Sequence, residues 1–343
     1  MRQSDDIKRP RHRPTIADVA RRAGVSIAAV SFAVNNRAGV APETRSRILA
    51  AAEELGWRPS APARALTEAR ARAIGLVLAR DPLRLELDAF FVRFLSGIER
   101  TLAAPDHALL LKLVPRAAEA GIATYERLAA SGRVDGFLLT DLERADPRLA
   151  RLESLGPPVL IAGRPADPTR VPWVESDHAR GMGQAVAHLA ERGHREIGFL
   201  GGPATLQFVQ DRLAAWRAAL RAAGLGAGPV VHASDGDASA LAELVDGRCS
   251  AVVCTSDALA MAVIGAARER GRDVPDDLAV TGFDDSPLAL LASPALTSVR
   301  VDYAEFGAAA TAALLAAIAG HPLPTFTPSP PELVPRASTA AAR

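Results

Sequence analysis

The sequence has very little cysteine, since Cys249 and Cys254 are the only two among 343 residues. Two cysteines cannot build the disulfide framework of a small secreted domain, and no histidine or cysteine cluster stands beside them to complete a metal site. We therefore expect structural thiols in a reducing compartment, and we predict neither a metal nor a cofactor.

Long apolar runs are also missing. No stretch approaches about 18 uncharged apolar residues, and the first 14 residues are polar and basic, without the apolar centre of a signal peptide. Hydrophobic residues make up 49% of the chain and charged residues 23%, which is enough to build large cores. We expect a globular, cytoplasmic protein of more than one domain, with no membrane partner.

Complete catalytic motifs are missing as well. Segment 181–186 lacks the third glycine of a dinucleotide fingerprint and lies inside a helical pattern, while segment 24–28 has no preceding strand to form a nucleophile elbow. Segment 235–237 is too short for a calcium loop. We expect a binding protein that is not an enzyme.

Basic charge is concentrated at the N-terminus. Residues 1–72 hold 14 Lys and Arg against 7 Asp and Glu, whereas the rest of the chain holds 26 against 32. The first segment therefore carries a charge of +7 in a chain whose formal net charge is only +1. Such a basic unit is typical of phosphate binding.

The stretch 15–36 predicts two short helices joined by a tight turn. Thr15 is expected to cap the first helix, with Asp18 completing a variant of the capping box. Gly24 is expected to turn the chain with positive φ, and Ser26 to cap the second helix. This is the spacing of a helix-turn-helix.

The second helix is expected to present its outward face to a major groove. Helix hairpins of this kind also occur in all-α proteins that bind no DNA, so the pattern alone leaves both functions open. Apolar side chains on that face contact thymine methyl groups but cannot read guanine bidentately. The predicted DNA contacts of the head are Thr15, Ser26, Ile27, Ala28, Ser31, Phe32, Asn35 and Thr44.

A third helix is predicted over 42–55, and the phrases around it carry a resemblance. IADVARRAGVS, TRSRILAAAEELGWRPS and ARAL together resemble the LacI/GalR family of bacterial transcriptional regulators. The resemblance continues through GHREIGFLGGP, DRLAAW and GFDDSP towards the C-terminus. It implies a helix-turn-helix head, a hinge helix, a two-lobed effector domain of the periplasmic-binding-protein type, a homodimer and operator DNA as partner.

The implied hinge lies within 59–72. A helix of about two turns is unstable alone, so it is expected to fold only against its counterpart in a second subunit. In the family this pair inserts a leucine into the minor groove, and that leucine corresponds to Leu66, with Arg64 beside it. The alternative is that Leu66 packs onto the following domain.

Apolar runs alternate with amphipathic stretches from residue 73 onward, which predicts parallel sheets covered by helices. Strands are expected near 74–79, 108–114, 136–140 and 158–162, and in a second series near 196–200, 229–233, 251–255 and 278–283. The expected domains are an arm over 1–13, the head over 14–58, the hinge over 59–72 and an effector domain over 73–343. The first lobe of the effector domain is expected over about 73–163 and 293–325, and the second over about 164–292 and 326–343.

The effector site is expected beyond the carboxyl ends of the strands, where open parallel sheets bind ligands. By resemblance, Arg212 of DRLAAW grips the effector and Asp284 of GFDD is its acidic partner; a structural ion pair is the alternative. The predicted effector contacts are Phe90, Phe91, Leu206, Phe208, Arg212, Ser256 and Asp284. Because consecutive helical residues cannot face the cleft equally, at least one of the two phenylalanines is a candidate core residue.

Together these features predict an effector-responsive regulator that acts as a dimer on a pseudo-palindromic operator, and they favour a repressor over an activator. Gly163 and Ser256 stand where sugar-responsive members of the family often have Asp and Asn, so the pocket is expected to be less polar than is usual in the family. This argues against a simple free hexose and leaves a glycoside, a nucleoside or a more apolar metabolite open. The alternative class is a small-molecule binding protein or an enzyme on the same two-lobed fold.

Overall fold

The computed structural model describes residues 14–35, 37–58, 70–79, 89–115, 118–233, 238–247 and 249–340. The chain divides into two compact units, Met1–Ala71 and Arg72–Arg343. The predicted arm and most of the predicted hinge, including Arg64 and Leu66, lie outside the described residues. No helix among the described residues is long and apolar enough to cross a membrane.

Three helices lie among the described residues of the first unit: α1 (Ile16–Ala23), α2 (Ile27–Val34) and α3 (Pro42–Glu54). Their shared core is small, and Val19, Val30 and Ile48 are fully buried at its centre, one from each helix. Burying one such side chain contributes about 1.5–3 kcal/mol, so three helices too short to be stable alone hold each other in place.

Local hydrogen bonds fix the turn between α1 and α2. The Thr15 hydroxyl accepts the Asp18 amide, and the Asp18 carboxylate accepts the Thr15 amide at 2.9 Å. Gly24 ends α1 in the left-handed region with φ 65°, and the Ser26 hydroxyl accepts the Ala29 amide at 3.2 Å. The predicted capping box, turn glycine and second cap are therefore confirmed.

The first lobe of the second unit is built on five strands. They are β1 (Ala73–Leu78), β2 (Ala108–Leu113), β3 (Gly136–Leu139), β4 (Val159–Ala162) and β5 (Trp173–Val174). They form a parallel sheet in the order β2-β1-β3-β4-β5. The helices of this stretch are α4 (Ala89–Ala103), α5 (Ala118–Ala130) and α6 (Pro147–Glu153).

The second lobe contains six strands. They are β6 (Ile197–Gly201), β7 (Ala227–His232), β8 (Ala251–Cys254), β9 (Ala279–Asp284), β10 (Thr297–Arg300) and β11 (Glu332–Val334). The sheet has the order β11-β10-β9-β8-β6-β7, in which only β11 runs antiparallel. Its helices are α7 (His178–Glu191), α8 (Gln207–Ala222), α9 (Ala238–Val245), α10 (Asp257–Glu269) and the short α11 (Pro287–Leu291).

The chain crosses between the lobes at places that the predicted boundaries miss. β5 pairs with β4 of the first lobe, and β10 pairs with β9 of the second lobe. Assigning 164–292 wholly to the second lobe and 293–325 wholly to the first is therefore wrong. The long helix α12 (Tyr303–Ala319) does return to the first lobe, where it packs against α4 and the sheet. The two-residue strand β5 carries too little periodicity to be placed from sequence, and β10 was not predicted.

Both cysteines are buried thiols in the second lobe, with Cys249 1% and Cys254 0% exposed. Burial raises the pKa of each thiol above its usual range, which keeps it protonated and unreactive. Cys249 Sγ lies 3.0 Å from the carbonyl of Leu244 as a weak donor. The cysteines are therefore structural, as predicted.

The C-terminal segment is tied to the second lobe through a buried histidine. His188 Nε2 lies 2.7 Å from Thr339 Oγ1, and that hydroxyl lies 2.7 Å from Thr297 Oγ1. Burial, with a smaller contribution from the charge of Arg192, lowers the pKa of His188 to about 4. In the unfolded chain His188 is therefore protonated as the pH falls below about 6.5, whereas in the folded protein it stays neutral down to about pH 4.

The unfolding free energy is expected to fall as the pH drops from about 6.5 to about 4. Above this window His188 is neutral in both the folded and the unfolded chain, so it adds no pH dependence. Allowing for partial solvent screening, His188 accounts for a loss of about 2 kcal/mol between pH 7 and pH 4.5. Chemical denaturation of wild type and His188→Gln at both values measures it, with the exposed His321→Gln as control. Equal pH dependence in wild type and His188→Gln contradicts the prediction.

Candidate functional site

The outward face of α2 is predominantly apolar. Ile27 is 52% exposed and Phe32 40% exposed, and Ala28 is exposed between them in the helical projection. The predicted inward residues Val30 and Ala33 are buried. The face that the sequence assigned to DNA is therefore the one that α2 turns away from the core of its own unit.

Exposed or half-buried polar groups lie at the ends of the three helices of the head. Ser26 and Thr15 are exposed at the N-termini of α2 and α1, and Thr44 is half-buried near the start of α3. The Asn35 side chain donates to the Ser31 carbonyl at 2.8 Å, which holds the Asn35 side chain against the last turn of α2. Hydroxyls and amides at helix ends are suited to phosphate contacts.

Two arginines that the sequence analysis did not single out stabilise the head. Arg45 donates to the carbonyls of Ala33 at 2.9 Å and Arg37 at 2.7 Å, and Arg47 donates to the Ala23 carbonyl at 3.0 Å. These bonds tie α3 to the ends of α1 and α2. Part of the positive charge counted from sequence therefore supports the shape of the head.

Arg212 lies at the centre of a network in the second unit. It comes from α8 and is 4% exposed. Its guanidinium donates to the Thr255 carbonyl at 2.5 Å and to the Tyr303 hydroxyl at 3.2 Å, and lies 3.9 Å from Asp284 Oδ1. The ring centroid of Phe283 lies 3.7 Å from its central carbon. Stacking and hydrogen bonding together hold the charge at the end of strands β8 and β9.

Tyr303 joins the two lobes at this point, because it begins α12 of the first lobe while Arg212 and Asp284 belong to the second. Its hydroxyl donates to Asp284 Oδ1 at 2.6 Å. Burial, and then the neighbouring Asp284 carboxylate, holds the pKa of Tyr303 well above its usual range, so the hydroxyl stays a donor. Asp284 has φ 101°, a strained conformation for a residue with a side chain.

A histidine completes the network. Arg212 Nε donates to His178 Nδ1 at 3.3 Å, with His178 at the start of α7. Burial, reinforced by the Arg212 charge, lowers the pKa of His178 well below its usual range. The imidazole is therefore neutral at pH 7 and leaves the positive charge of the site to Arg212.

The predicted aromatic pair divides between cleft and core. Phe90 is partly exposed and meets the Tyr303 ring edge-on at a centroid distance of 4.8 Å. Phe91 is 1% exposed and belongs to the core of the first lobe. The prediction that Phe91 contacts the effector is therefore corrected: Phe91 is a core residue that packs against Phe90. Consecutive side chains leave a helix about 100° apart, so the two phenylalanines face different surroundings.

The remaining predicted contacts have local roles that the structure makes visible. Phe208 lies one turn before Arg212 on α8, and its ring centroid is 5.3 Å from the Arg212 guanidinium carbon. The Ser256 hydroxyl caps α10 by accepting the Leu259 amide at 3.3 Å, and Leu206 provides the backbone N-cap of α8. Whether these three touch an effector stays a prediction.

Tyr303, His178 and Arg93 are the site residues that sequence reasoning missed. Arg93 of α4 donates across the lobes to the carbonyls of Asp284 at 3.0 Å and Asp285 at 2.7 Å. Tyr303 directly follows a capping Asp302, and an aromatic at the first position of an otherwise Ala-rich helix was a signal available in the sequence. Arg93 carried no comparable signal.

A basic three-helix head and a two-lobed domain with a charged network between its lobes define the class of ligand-controlled DNA-binding regulators. Residues 15–60 match the bacterial regulatory proteins of the lacI family, and residues 186–339 match the periplasmic binding protein-like domain. The HTH-type transcriptional regulator CelR of Thermobifida fusca is 34% identical over 302 residues, 84% of this chain and 87% of that protein. The chain belongs to the LacI family of transcriptional regulators.

Solved structures support the same conclusion. A CelR-cellobiose complex is 31% identical, covers 95% of this chain and 100% of that one, and superposes with a TM-score of 0.70. A lac repressor dimer bound to operator and the anti-inducer ONPF is 26% identical, and the match covers 96% of this chain and 99% of that one, with a TM-score of 0.81. The predicted fold class and family are confirmed, and the alternative of an enzyme on the same fold is set aside because the relatives are transcriptional regulators.

Proposed function

We propose that the protein is a cytoplasmic, homodimeric repressor whose affinity for a pseudo-palindromic operator is set by a sugar or glycoside bound between the lobes. The observation that carries the proposal is the bridge in which Tyr303 of the first lobe meets Arg212 and Asp284 of the second. A ligand that inserts its hydroxyls into this bridge changes how the lobes are joined.

The chemistry of the site favours a hydroxylated ligand with one apolar face. A guanidinium and a carboxylate within 3.9 Å of each other offer a donor and an acceptor to paired hydroxyls. The Phe90 ring, partly exposed beside Tyr303, offers a surface for stacking on a sugar ring. The CelR relative, solved with cellobiose, supports a disaccharide as the first candidate.

The test begins with operator fragments selected from a random DNA pool by the full-length protein. Fluorescence anisotropy of the selected operator is then followed during titration with cellobiose, other disaccharides, monosaccharides and nucleosides. We expect one of the sugars to change operator affinity by tenfold or more, corresponding to about 1.4 kcal/mol of coupling. A response confined to nucleosides overturns the sugar assignment, and selection of no DNA overturns the regulator function.

The recognition helix is expected to select half-sites rich in thymine, because Ile27, Ala28 and Phe32 present methyl and ring groups but no bidentate donors. Phe32→Ala is expected to lower operator affinity about fivefold and to weaken the thymine preference. Leu49→Ala, which shortens an exposed apolar side chain on α3, serves as control. A selected half-site dominated by one guanine whose recognition depends on residue 32 contradicts this prediction.

Two further features support a dimer. Leu290 and Leu291 of α11 are 65% and 81% exposed, and the edge strand β2 exposes Leu111 and Leu113. Large apolar side chains at a sheet edge and on a short surface helix are suited to burial by a second copy. The proposed dimer also gives the hinge segment with Leu66 the counterpart that it needs for inserting into the minor groove.

A further inference from the structure

A cavity lies beside α8, on a face of the helix that Arg212 does not occupy. Its volume is about 390 Å³. Loops of the first lobe line one side of it with Arg144 and with segment 164–166, which begins at Arg164. One face of α8, from the second lobe, lines the other side. On that face the polar side chains are Gln207, Gln210, Asp211 and Arg217. At about 100° per residue, these positions lie roughly 100–160° around the helix from Arg212, so this cavity is on a different face of α8 from the proposed effector site.

Backbone hydrogen bonds join the two lobes beside this cavity. The Gln207 amide donates to the Leu142 carbonyl at 2.8 Å, and the Arg144 amide donates to the Thr205 carbonyl at 3.1 Å. Glu143 and Leu206 form an antiparallel bridge between them. The walls of the cavity are therefore held in register by main-chain contacts between the lobes.

The cavity carries an excess of positive charge. The side chains of Arg144, Arg164 and Arg217 form no hydrogen bond or ion pair with any residue that the structure describes, whereas Arg93 and Arg212 each donate hydrogen bonds to protein groups. Asp211 is the one carboxylate in the lining, and it already accepts the Gln207 side-chain amide at 2.8 Å. Burial raises the pKa of Asp211, while Gln207 and then Arg164 act to lower it. Three guanidiniums against one carboxylate suit an anionic group.

One buried polar atom in the lining lacks a partner. Gln207 Oε1 is buried and accepts no hydrogen bond from the described residues. Its orientation is fixed, because the amide nitrogen donates to Asp211 and exchanging the two atoms brings an oxygen against a carboxylate. A buried acceptor without a donor is costly, and a hydroxyl group supplies the missing donor.

We propose that this cavity is a second ligand site for a small hydroxylated anion, with its phosphate or carboxylate held by Arg144, Arg164 and Arg217 and a hydroxyl donating to Gln207 Oε1. The site goes beyond the proposed function and does not depend on the Arg212 network. Because both lobes contribute to its walls, a bound anion stabilises one relative position of the lobes and thereby modulates the response to the cleft ligand.

The test measures binding to the full-length protein by isothermal titration calorimetry at constant ionic strength, with glucose 6-phosphate, gluconate, inorganic phosphate and glucose as probes. Glucose 6-phosphate or gluconate is expected to bind saturably and at least tenfold more tightly than inorganic phosphate. Arg217→Gln is expected to weaken that binding tenfold or more. Arg221→Gln, which replaces an exposed arginine one turn further along α8 and outside the lining, is expected to leave it unchanged.

Two further variants separate this site from the proposed effector cleft. Gln207→Leu is expected to weaken the binding of glucose 6-phosphate more than the binding of inorganic phosphate. Only the sugar phosphate has a hydroxyl on carbon that donates to Gln207 Oε1. Arg212→Ala is expected to leave anion binding intact even if it abolishes the cellobiose response. The proposal is overturned if neither hydroxylated anion binds, if Arg217→Gln and Arg221→Gln behave alike, or if Arg212→Ala alone removes binding.

Discussion

Replacing Arg212 with alanine is expected to abolish the response to effector while leaving operator affinity without effector within about twofold of wild type. The guanidinium is the one group that contacts Thr255, Tyr303 and Asp284 at once, so its loss removes the bridge rather than one arm of it. Charge-assisted hydrogen bonds contribute about 1.5–3 kcal/mol each, so losing two raises the effector concentration needed roughly a hundredfold or more. Operator anisotropy during titration with the active sugar measures the shift.

Controls distinguish a lost contact from a damaged fold. Tyr303→Phe removes a single hydroxyl from the same network and is expected to weaken the response by a smaller factor than Arg212→Ala. Arg221→Gln changes an arginine on the same helix outside the network and is expected to respond normally. If Arg212→Ala is folded by circular dichroism and responds at wild-type effector concentrations, Arg212 has a structural role and the effector binds elsewhere.

The same network shows why the site was only partly predictable. Arg212 and Asp284 were placed by resemblance of DRLAAW and GFDD, and the structure brings them to 3.9 Å. Tyr303 lies 91 positions from Arg212 in the chain, and Arg93 lies 191 positions from Asp284. Local periodicity carries no information over such distances, because these contacts depend on how the two lobes are joined.

The fold, like the site, was predictable from sequence only in part. Strand β1 was predicted one residue from its observed position because an unbroken apolar run is what a strand buried on both faces requires. The short strands β5 and β10 were missed, and their pairing decides where the chain crosses between the lobes. The four-residue strands β3 and β4 were predicted because each is an unbroken apolar run, whereas β10 has the sequence TSVR, with one apolar residue, and β5 has only two residues. Such strands are defined by pairing their main-chain groups with a neighbouring strand.

Close packing of α4 against α12 positions the first-lobe side of the cleft, and it depends on two glycines. A Cβ added at Gly97 meets the Ala304 carbonyl oxygen at 2.0 Å, and one added at Gly307 meets the Phe94 carbonyl oxygen at 2.3 Å. The two helices therefore approach backbone to backbone. Phe90 on α4 and Tyr303 on α12 meet edge-on because of this contact.

Gly97→Ala is therefore expected to lower the unfolding free energy of the second unit by about 3 kcal/mol. Alanine favours a helix over glycine by up to about 1 kcal/mol, but overpacking against a rigid main chain costs more, so the clash decides the sign. The helices are expected to separate, which also loosens the contact between Phe90 and Tyr303. Chemical denaturation followed by circular dichroism measures the loss.

The matched control is Gly265→Ala in α10, where an added Cβ meets nothing within 4 Å. There only the helix preference acts, so the same substitution is expected to stabilise the unit by about 0.5–1 kcal/mol. The pair thus predicts opposite signs for one chemical change at two helical glycines. If Gly97→Ala is neutral or stabilising, α4 and α12 are not in backbone contact in solution. The positions assigned here to Phe90 and Tyr303 at the cleft are then wrong as well.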